Sequence, residues 1–260
     1  MQIDLSGKKA VVTGAGAGIG LAVVRALTAA GADVYGGART VSPELKEATP
    51  HTLTVDLVTE EGPALLVQRA RTEFGGIDVL VNNVGGGVTL APGFLDITDD
   101  VWRQTLDLNV FTMVRATRAA LPSLVERGGT IVNIGSMNGT LADPRLAHYS
   151  AAKAAVANIG RALSAEFAPR GVRVNTISPG PVRTRLWTNR HIAEKAGMTP
   201  EEFLAMVPKM AGLATGEMIE PEEIAALVVL FASGRIRSVT GVDLPIDAGM
   251  APPSRYQRPN

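Results

Sequence analysis

The sequence contains no cysteine among its 260 residues. Disulfide bonds, thiolate nucleophiles and cysteine-based metal sites are therefore excluded, and no metal site is expected. An excess of charge of one sign is also lacking, because 25 basic residues balance 25 acidic ones. The zero net charge gives no sign of binding to nucleic acid or to an anionic membrane, so we expect neither as a partner.

Long hydrophobic runs are absent as well. The first residues, MQIDLSGKKA, lack the apolar segment of a signal peptide. The longest apolar stretches, such as IAALVVLFA from Ile224, are far too short to span a membrane. We therefore expect a soluble, cytoplasmic protein.

Apolar strand-like segments alternate along the chain with helical patterns. The predicted strands read KKAVVT, ADVYGG, TLTVDL, DVLVNN, TIVNIGS, VRVNTIS and GVDLPID. Strands that are apolar on both sides and alternate with helices indicate one parallel sheet covered by helices on both faces. No linker or internal repeat interrupts the pattern. We predict a single α/β domain over residues 1–260, with a doubly wound, seven-stranded parallel sheet of Rossmann type.

The first predicted strand ends in a glycine-rich stretch, TGAGAGIG at residues 13–20, which opens a helix. A helix N-terminus has free N–H groups and a partial positive charge, so it favours a phosphate group. Glycines permit the tight turn and let a pyrophosphate approach the backbone. The spacing G-x-x-x-G-x-G differs from the general G-x-G-x-x-G fingerprint, and the lack of GK[ST] disfavours a nucleoside triphosphatase loop. A glycine-rich turn without a ligand is the alternative.

Tyr149 and Lys153, in YSAAK, lie four residues apart and so share one face of a predicted helix. A free tyrosine has a pKa of about 10, and a neighbouring ammonium group lowers that pKa. A tyrosine tuned in this way can donate a proton to a carbonyl oxygen or accept one from an alcohol. On spacing alone, an ordinary surface pair is the more frequent meaning of this pattern.

Three other polar features accompany this pair. Ser136 ends the predicted strand TIVNIGS, where its hydroxyl can hydrogen-bond a substrate oxygen. The stretch NNVG, residues 82–85, ends another strand on the ligand side of the sheet. Asn109 is a polar residue in an apolar helical stretch, and the alternative to a functional role is that of a buried structural asparagine.

Together, these features resemble the short-chain dehydrogenase/reductase family. The motifs in that family's order and spacing are TGAGAGIG (13–20), NNVG (82–85), Asn109, Ser136, YSAAK (149–153) and PGPVRT (179–184). The resemblance covers essentially the whole chain. Two positions depart from the usual pattern: Val84 replaces a common alanine, and Ala248 replaces a common glycine.

The resemblance implies a catalytic set of four residues. Tyr149 is the expected general acid and base, and Lys153 its pKa-lowering partner, which also binds the nicotinamide ribose. Ser136 is expected to orient and polarise the substrate carbonyl. Asn109 is expected to hold a water molecule that links Lys153 to solvent.

The resemblance also implies a bound nicotinamide dinucleotide, with Asp56 on the adenine and Thr184 on the nicotinamide carboxamide. The expected cofactor contacts are Gly14, Gly16, Gly18, Ile19, Gly20, Arg39, Asp56, Leu57, Asn82, Gly85, Tyr149, Lys153, Pro179, Gly180, Val182 and Thr184. Family members form tetramers or dimers, so a homotetramer or homodimer is expected. Small residues on the Tyr149 helix suit close packing against another subunit, or equally against the sheet.

The residues at the end of the second strand favour NADP(H) over NAD(H). An acidic residue there binds the adenosine ribose and repels a 2′-phosphate, whereas arginine attracts it. Asp33 lies at the wrong end of the strand, while Ala38 and Arg39 stand at the relevant end. Two observations keep NAD(H) possible: Ala17 offers no second basic group, and Arg39 is equally explained as a solvated loop charge.

A long insertion at residues 183–215 interrupts the strand–helix order and is expected to form a substrate lid. Its large apolar residues predict either an apolar or aromatic carbonyl substrate, or packing against the body or a neighbouring subunit; they are Leu186, Trp187, Phe203, Met206, Met210 and Leu213. Residues 85–93 are expected to add a flexible wall, and His148 to line the rim.

The sequence thus predicts an NADP(H)-dependent oxidoreductase, a carbonyl reductase or alcohol dehydrogenase with a small-molecule substrate. An NAD(H)-preferring alcohol dehydrogenase is the nearest alternative. A dinucleotide-binding sensor or scaffold without chemistry is a second alternative, and the intact catalytic set argues against it.

Overall fold

The computed structural model describes residues 3–86, 90–185, 187, 193–194 and 197–250, and these contain one seven-stranded sheet. The strands are β1 (Lys9–Thr13), β2 (Asp33–Ala38), β3 (Thr52–Thr54), β4 (Val79–Asn82), β5 (Thr130–Ile134), β6 (Arg173–Pro179) and β7 (Asp243–Ile246). Their order is β3-β2-β1-β4-β5-β6-β7, and every neighbouring pair is parallel. The predicted single-domain, doubly wound parallel sheet is confirmed.

Helices cover both faces of this sheet, and one further helix lies in the insertion at residues 183–215. They are α1 (Gly18–Ala29), α2 (Pro43–Ala48), α3 (Gly62–Phe74), α4 (Asp99–Leu106), α5 (Thr112–Arg127), α6 (Ala147–Phe167), α7 (Pro200–Met210) and α8 (Pro221–Ala232). Each is shorter than a membrane span or too polar for one, so no helix among the described residues can cross a membrane.

The strands are apolar on both sides because each side packs on helices. Val12 belongs to a core shared with Val24 of α1 and Val228 of α8. Its neighbour Val11 faces the opposite core, which includes Leu66 of α3. Adjacent strand residues point to opposite faces of a sheet, so this alternation buries both faces.

The helical stretch over residues 99–127 is interrupted. One π-helical turn, Asp107–Phe111, separates α4 from α5. The hydroxyl of Thr112 lies 3.0 Å from the carbonyl oxygen of Asp107 and 3.1 Å from that of Leu57. Single π-helical turns inside helices occur frequently at functional sites, and this one contains Asn109.

The described part of the insertion at residues 183–215 contains α7 and a small apolar cluster of its own. Thr199 begins the helix with a capping box: its hydroxyl accepts from the Glu202 N–H, and the Glu202 carboxylate accepts from the Thr199 N–H. Phe203 and Val207 of this helix pack against Leu213, which follows it. The segment therefore has a core separate from the two cores of the sheet.

At the amino-terminal edge of the sheet, Asp78 joins three elements. Its carboxylate accepts hydrogen bonds from the Lys9 N–H at 2.9 Å, from Arg127 at 3.1 Å and from Lys8 at 3.4 Å. Burial opposes the charge of Asp78, but the hydrogen bonds from Arg127 and Lys9 outweigh it and hold the pKa of this carboxyl below its usual range. The ionised Asp78 carboxylate therefore stabilises the fold above the unfolded pKa of an aspartate, about 3.9. This stabilisation is lost as the pH falls through the pKa of Asp78 in the folded protein.

We expect Asp78→Ala to lower the free energy of unfolding by about 2 kcal/mol near neutral pH, since three partly buried donors lose a charged acceptor. The penalty should shrink as the solution is acidified. Urea denaturation of both proteins over a pH series measures it. The exposed Asp100 of α4, which pairs with Arg103, provides a control whose alanine variant changes stability by less than about 0.5 kcal/mol. A pH-independent penalty at Asp78 would contradict the ionic origin.

Candidate active site

A cavity of about 670 Å³ opens at the carboxyl ends of the strands, beside the point between β1 and β4 where the strand order reverses. Ligands of doubly wound sheets bind at this place. The predicted site residues that line it are Gly14, Gly16, Gly18, Ile19, Gly20, Arg39, Asp56, Leu57, Gly85, Ser136, Tyr149, Lys153, Pro179, Gly180, Val182 and Thr184. The structure thus brings together residues from across the whole chain, whereas Asn82 and Asn109 do not line the cavity.

The glycine-rich turn forms a cradle that side chains would fill. Gly14 and Gly18 have φ values of +67° and +54°, in the left-handed region that favours glycine. A Cβ on Gly16 would meet the carbonyl oxygen of Thr40 at 2.8 Å, and a Cβ on Gly20 would meet that of Gly14 at 2.2 Å. Ala17 precedes α1 without a capping side chain, so the first N–H groups of the helix remain for a ligand. This cradle fits the pyrophosphate of a dinucleotide.

The structure separates the roles of two neighbouring asparagines. The amide of Asn82 is buried and donates to Thr117 at 3.0 Å and to Asn133 at 2.9 Å, away from the cavity. Asn83 lines the cavity, and its amide donates to the carbonyl oxygens of Thr13 and Gly14, both at 3.0 Å. Asn83 therefore fastens the glycine turn to the end of β4. Sequence reasoning missed it, although adjacent strand residues point to opposite sides.

Asn109 is 1% exposed, and the π-helical turn holds it behind the cavity wall. Its amide donates to the carbonyl oxygens of Thr105 at 2.9 Å and Gly86 at 3.1 Å, and its oxygen accepts from the Gly86 N–H at 3.1 Å. A Cβ on Gly85 would meet both Asn109 Oδ1 and Lys153 Nζ, at 3.0 and 2.7 Å. Asn109 thus fixes the loop that passes directly over the lysine.

Lys153 is buried within the wall of the site. Its ammonium donates to the carbonyl oxygen of Ile134 at 3.0 Å and lies 5.8 Å from the centre of the Tyr149 ring. Burial lowers the pKa of Lys153 to about 8. The packing of α6 on β5 explains this position, because α6 carries Lys153 across the carboxyl end of β5.

The direction of the pKa shift of Tyr149 differs from the expectation. Burial raises the pKa of its phenol, and a hydrogen bond with Ser136 only partly opposes the rise. The loss of water around the ring disfavours the phenolate, and the spacing of Tyr149 and Lys153 in the sequence does not report that loss. In this structure, Tyr149 is therefore a neutral hydroxyl held beside Ser136. This protonation state suits proton donation to an oxygen atom.

Two further segments complete the ends of the cavity. Thr184 lies against the start of α1, since a Cβ on Gly18 would come within 3.2 Å of its methyl group.

At the other end of the cavity, the exposed Arg39 follows Ala38. Arg39 lines the cavity together with Ser42, whose hydroxyl donates to the Gly16 carbonyl oxygen at 3.1 Å. Among the described residues, Arg39 has no acidic ion-pair partner within 4 Å. Arg185 also lines the cavity, and sequence reasoning had not assigned it to the cofactor region.

The described apolar residues of the insertion pack mainly on one another. Trp187 lines the cavity and stacks on Phe203, with ring centres 6.3 Å apart. Phe203 and Leu213 are buried in the cluster of this segment, whereas Met210 is 58% exposed. Of the predicted lid residues, Leu186 lies outside the described residues, as do residues 87–89 of the expected flexible wall.

His148 does not line the rim as expected, because its side chain is fully buried. Its ring lies 6.3 Å from that of Trp102 in α4, and within the described part of the chain neither ring nitrogen has a hydrogen-bond partner. Burial lowers the pKa of this imidazole. On α6, His148 therefore faces α4, while its neighbour Tyr149 faces the cavity.

The fold and the site define a dinucleotide-binding oxidoreductase, and comparisons with known proteins identify its family. The profile of a family described as enoyl-(acyl carrier protein) reductase matches residues 14–251. The 3-oxoacyl-[acyl-carrier-protein] reductase of Salmonella typhimurium is 32% identical over 255 residues, covering 95% of this chain and 99% of that reductase. The chain belongs to the short-chain dehydrogenase/reductase family, so the predicted family and enzyme class are confirmed.

Solved structures show the same relationship. L-sorbose reductase from Gluconobacter frateurii, complexed with NADPH and L-sorbose, has a TM-score of 0.89 and 30% identity, covering 96% of this chain and 98% of that one. Carveol dehydrogenase from Mycobacterium avium, in complex with NAD, has a TM-score of 0.86 and 27% identity, covering 94% of this chain and 98% of that one. These neighbours bind NADPH or NAD, which supports a nicotinamide dinucleotide as the cofactor.

The burial of Lys153 predicts a pH-dependent cost in the protein without cofactor. An unfolded lysine has a pKa of about 10.4, whereas the folded value is about 8. The unfolded state binds more protons between these values, so wild-type stability rises with pH across this window. We therefore compare the free energy of unfolding of Lys153→Met with that of wild type. We expect the difference to favour the variant most near pH 7, and to shrink by about pH 9.5.

Chemical denaturation of the cofactor-free proteins over this pH range measures the difference. Lys46 of α2, which is exposed, provides the control, and Lys46→Met should show no such pH dependence. A difference between Lys153→Met and wild type that stays constant with pH would contradict the buried ammonium.

Proposed function

We propose that the protein is an NADP(H)-dependent carbonyl reductase that interconverts a ketone or aldehyde and its alcohol. The observation that carries this proposal is the meeting of Ser136, Tyr149 and Lys153 at one end of a cavity whose other end is formed by Arg39. The glycine cradle lies between these ends and suits a pyrophosphate. When bound, the nicotinamide group supplies or accepts the hydride.

The chain itself provides position and the proton. Ser136 and Tyr149 present two neighbouring hydroxyl groups, and a substrate carbonyl oxygen is proposed to accept hydrogen bonds from both. Tyr149 then donates its proton to that oxygen, since its raised pKa keeps it protonated near neutral pH. Lys153 lies beside the ring and stabilises the phenolate that forms. Asn109 holds the Gly86 loop over the lysine, and a water molecule bound there is proposed to return the proton from solvent.

Arg39 supports NADP(H) as the preferred cofactor. Its guanidinium lies at the end of β2 without an acidic partner within 4 Å among the described residues, as a 2′-phosphate site requires. Asp56 and Leu57 line the same end and are proposed to contact the adenine. An NAD(H)-preferring dehydrogenase is the second candidate, because Ala17 adds no basic group and carveol dehydrogenase, a neighbour, was solved with NAD. A non-catalytic sensor is disfavoured because the serine, tyrosine and lysine share one cavity.

For the substrate, the structure supports an apolar group beside the reacting carbonyl. Trp187 is the large apolar side chain of the insertion that lines the cavity. The other described apolar residues of this segment are largely used in its own packing. We propose that residues 183–215 act as the lid, with Trp187 as its contact to substrate.

A homodimer or homotetramer is also proposed. The outer face of α6 carries small residues, among them the exposed Ala151, Ala162 and Ala165, while its inner face packs on the body. Small residues let two helices approach closely. The same helix carries Tyr149 and Lys153, so subunit contact there would brace the catalytic residues.

We expect Tyr149→Phe to lower turnover by a factor of about 10²–10⁴, because the proton donor is removed while the ring remains. Turnover is measured as NADPH oxidation with a panel of ketones, and NADPH affinity is measured in parallel by calorimetry. Tyr35 lies in a distant core beside Phe74, so Tyr35→Phe is a matched control with unchanged turnover. Full activity of Tyr149→Phe would refute the assignment of the acid.

We expect Arg39→Asp to weaken NADPH binding by a factor of about 10–100, because a charged hydrogen bond to the 2′-phosphate is replaced by repulsion. NADH binding should stay the same or become tighter. Calorimetric titration of wild type and of each variant with both dinucleotides gives the ratio of NADPH affinity to NADH affinity. Arg183, which pairs with Glu220 outside the cavity lining, serves as a control through Arg183→Gln. An equal effect on NADPH and NADH binding, or unchanged NADPH binding, would contradict Arg39 as the partner of the 2′-phosphate.

A further inference from the structure

A second cavity, of about 450 Å³, lies at the opposite edge of the sheet and is not used by the proposed function. It is called the amino-edge cavity here, and its polar lining comprises Lys8, Asp78, Thr130, Arg173, Ser233, Arg237 and Thr240. Lys8 directly precedes β1, while Thr130 and Arg173 begin β5 and β6. Because the strands are parallel, this edge is the far side of the sheet from the glycine cradle.

The lining carries more positive than negative charge. Asp78 is the acidic residue of the lining, and Arg127, Lys8 and the Lys9 N–H already surround its carboxylate. Neither Arg173 nor Arg237 pairs with a carboxylate among the described residues. Two guanidinium groups therefore face this space without an acidic counter-charge.

Protein carbonyl groups hold the two arginines near one turn. Arg173 donates through Nη2 to the carbonyl oxygens of Phe231 at 2.7 Å and Ser233 at 3.3 Å, at the end of α8. Its Nη1 is buried and has no hydrogen-bond partner among the residues that the structure describes. Arg237 donates through Nε to Gly234 at 3.2 Å. Burial, and to a smaller extent the charge of Arg237, lower the pKa of Arg173, so the two like charges disfavour each other.

We propose that the amino-edge cavity binds a small phosphate-bearing anion. A phosphate group supplies the missing negative charge, and the planar guanidinium group matches its oxygen atoms. The terminal nitrogens of the exposed Arg237 can reach such a ligand, while Arg173 and Lys8 add positive charge to the same lining. The cavity volume lies within the range of small-molecule sites, so it has room for an organic group besides the phosphate. This site is independent of the carbonyl reductase activity.

Calorimetric titration with inorganic phosphate and with glucose 6-phosphate tests the proposal, at constant ionic strength set with potassium chloride. The full-length wild type should bind saturably. Arg237→Gln should weaken this binding by about tenfold, the loss of one charged hydrogen bond. Arg170 is exposed at the same edge but does not line the cavity, so Arg170→Gln should leave the affinity unchanged.

The glycine cradle also attracts phosphate, and the variants separate the two sites. Binding at the cradle would be insensitive to Arg237→Gln, so an affinity that does not change in this variant would overturn the proposal. An equal loss in Arg170→Gln, or no saturable binding by wild type, would do the same. Tighter binding of glucose 6-phosphate than of phosphate would support a phosphorylated metabolite, and equal binding would support free phosphate. Should Arg237→Gln fail to fold, Lys8→Gln provides the second variant, with a smaller expected loss.

Discussion

The close packing of α1 on the end of β1 is the contact on which the active site depends. A Cβ on Gly20 would lie 2.2 Å from the Gly14 carbonyl oxygen, so the helix and the turn meet at a separation that only glycine allows. Asn83 fastens the same turn to β4 through two carbonyl groups. The unpaired N–H groups at the start of α1 are thereby directed at the place where the strand order reverses. Parallel strands then bring Ser136 and the α6 residues to the same edge.

Burial sets the electrostatics of the catalytic pair. The phenol of Tyr149 and the ammonium of Lys153 are both withdrawn from water, which raises one pKa and lowers the other. Each shift favours the neutral form of its group. The pKa of Tyr149 lies above its ordinary value and that of Lys153 falls to about 8, so the two values lie further apart than in the free amino acids. The loop held by Asn109 covers Lys153 and maintains this condition.

The sequence allowed the sheet, its carboxyl edge and the family to be predicted, because apolar strands, glycine spacing and YSAAK are local patterns. Three features of the site could be determined only from the structure. Which of Asn82 and Asn83 faces the cavity depends on the pleat of one strand, and the π-helical turn around Asn109 depends on one extra residue in a helix. The direction of the Tyr149 pKa shift depends on how much water surrounds the ring, which spacing does not report. His148 was likewise misassigned, since it faces α4.

The central claim is that the cavity between Arg39 and Tyr149 holds a reduced nicotinamide dinucleotide. Trp187 lines this cavity, and the sequence has only two tryptophans. The most direct measurement is a titration of wild type with NADPH, which follows energy transfer from tryptophan to the nicotinamide. We expect saturable transfer with one dinucleotide per chain, and loss of most of the signal in Trp187→Phe. No saturable transfer, together with no heat of binding, would contradict the claim.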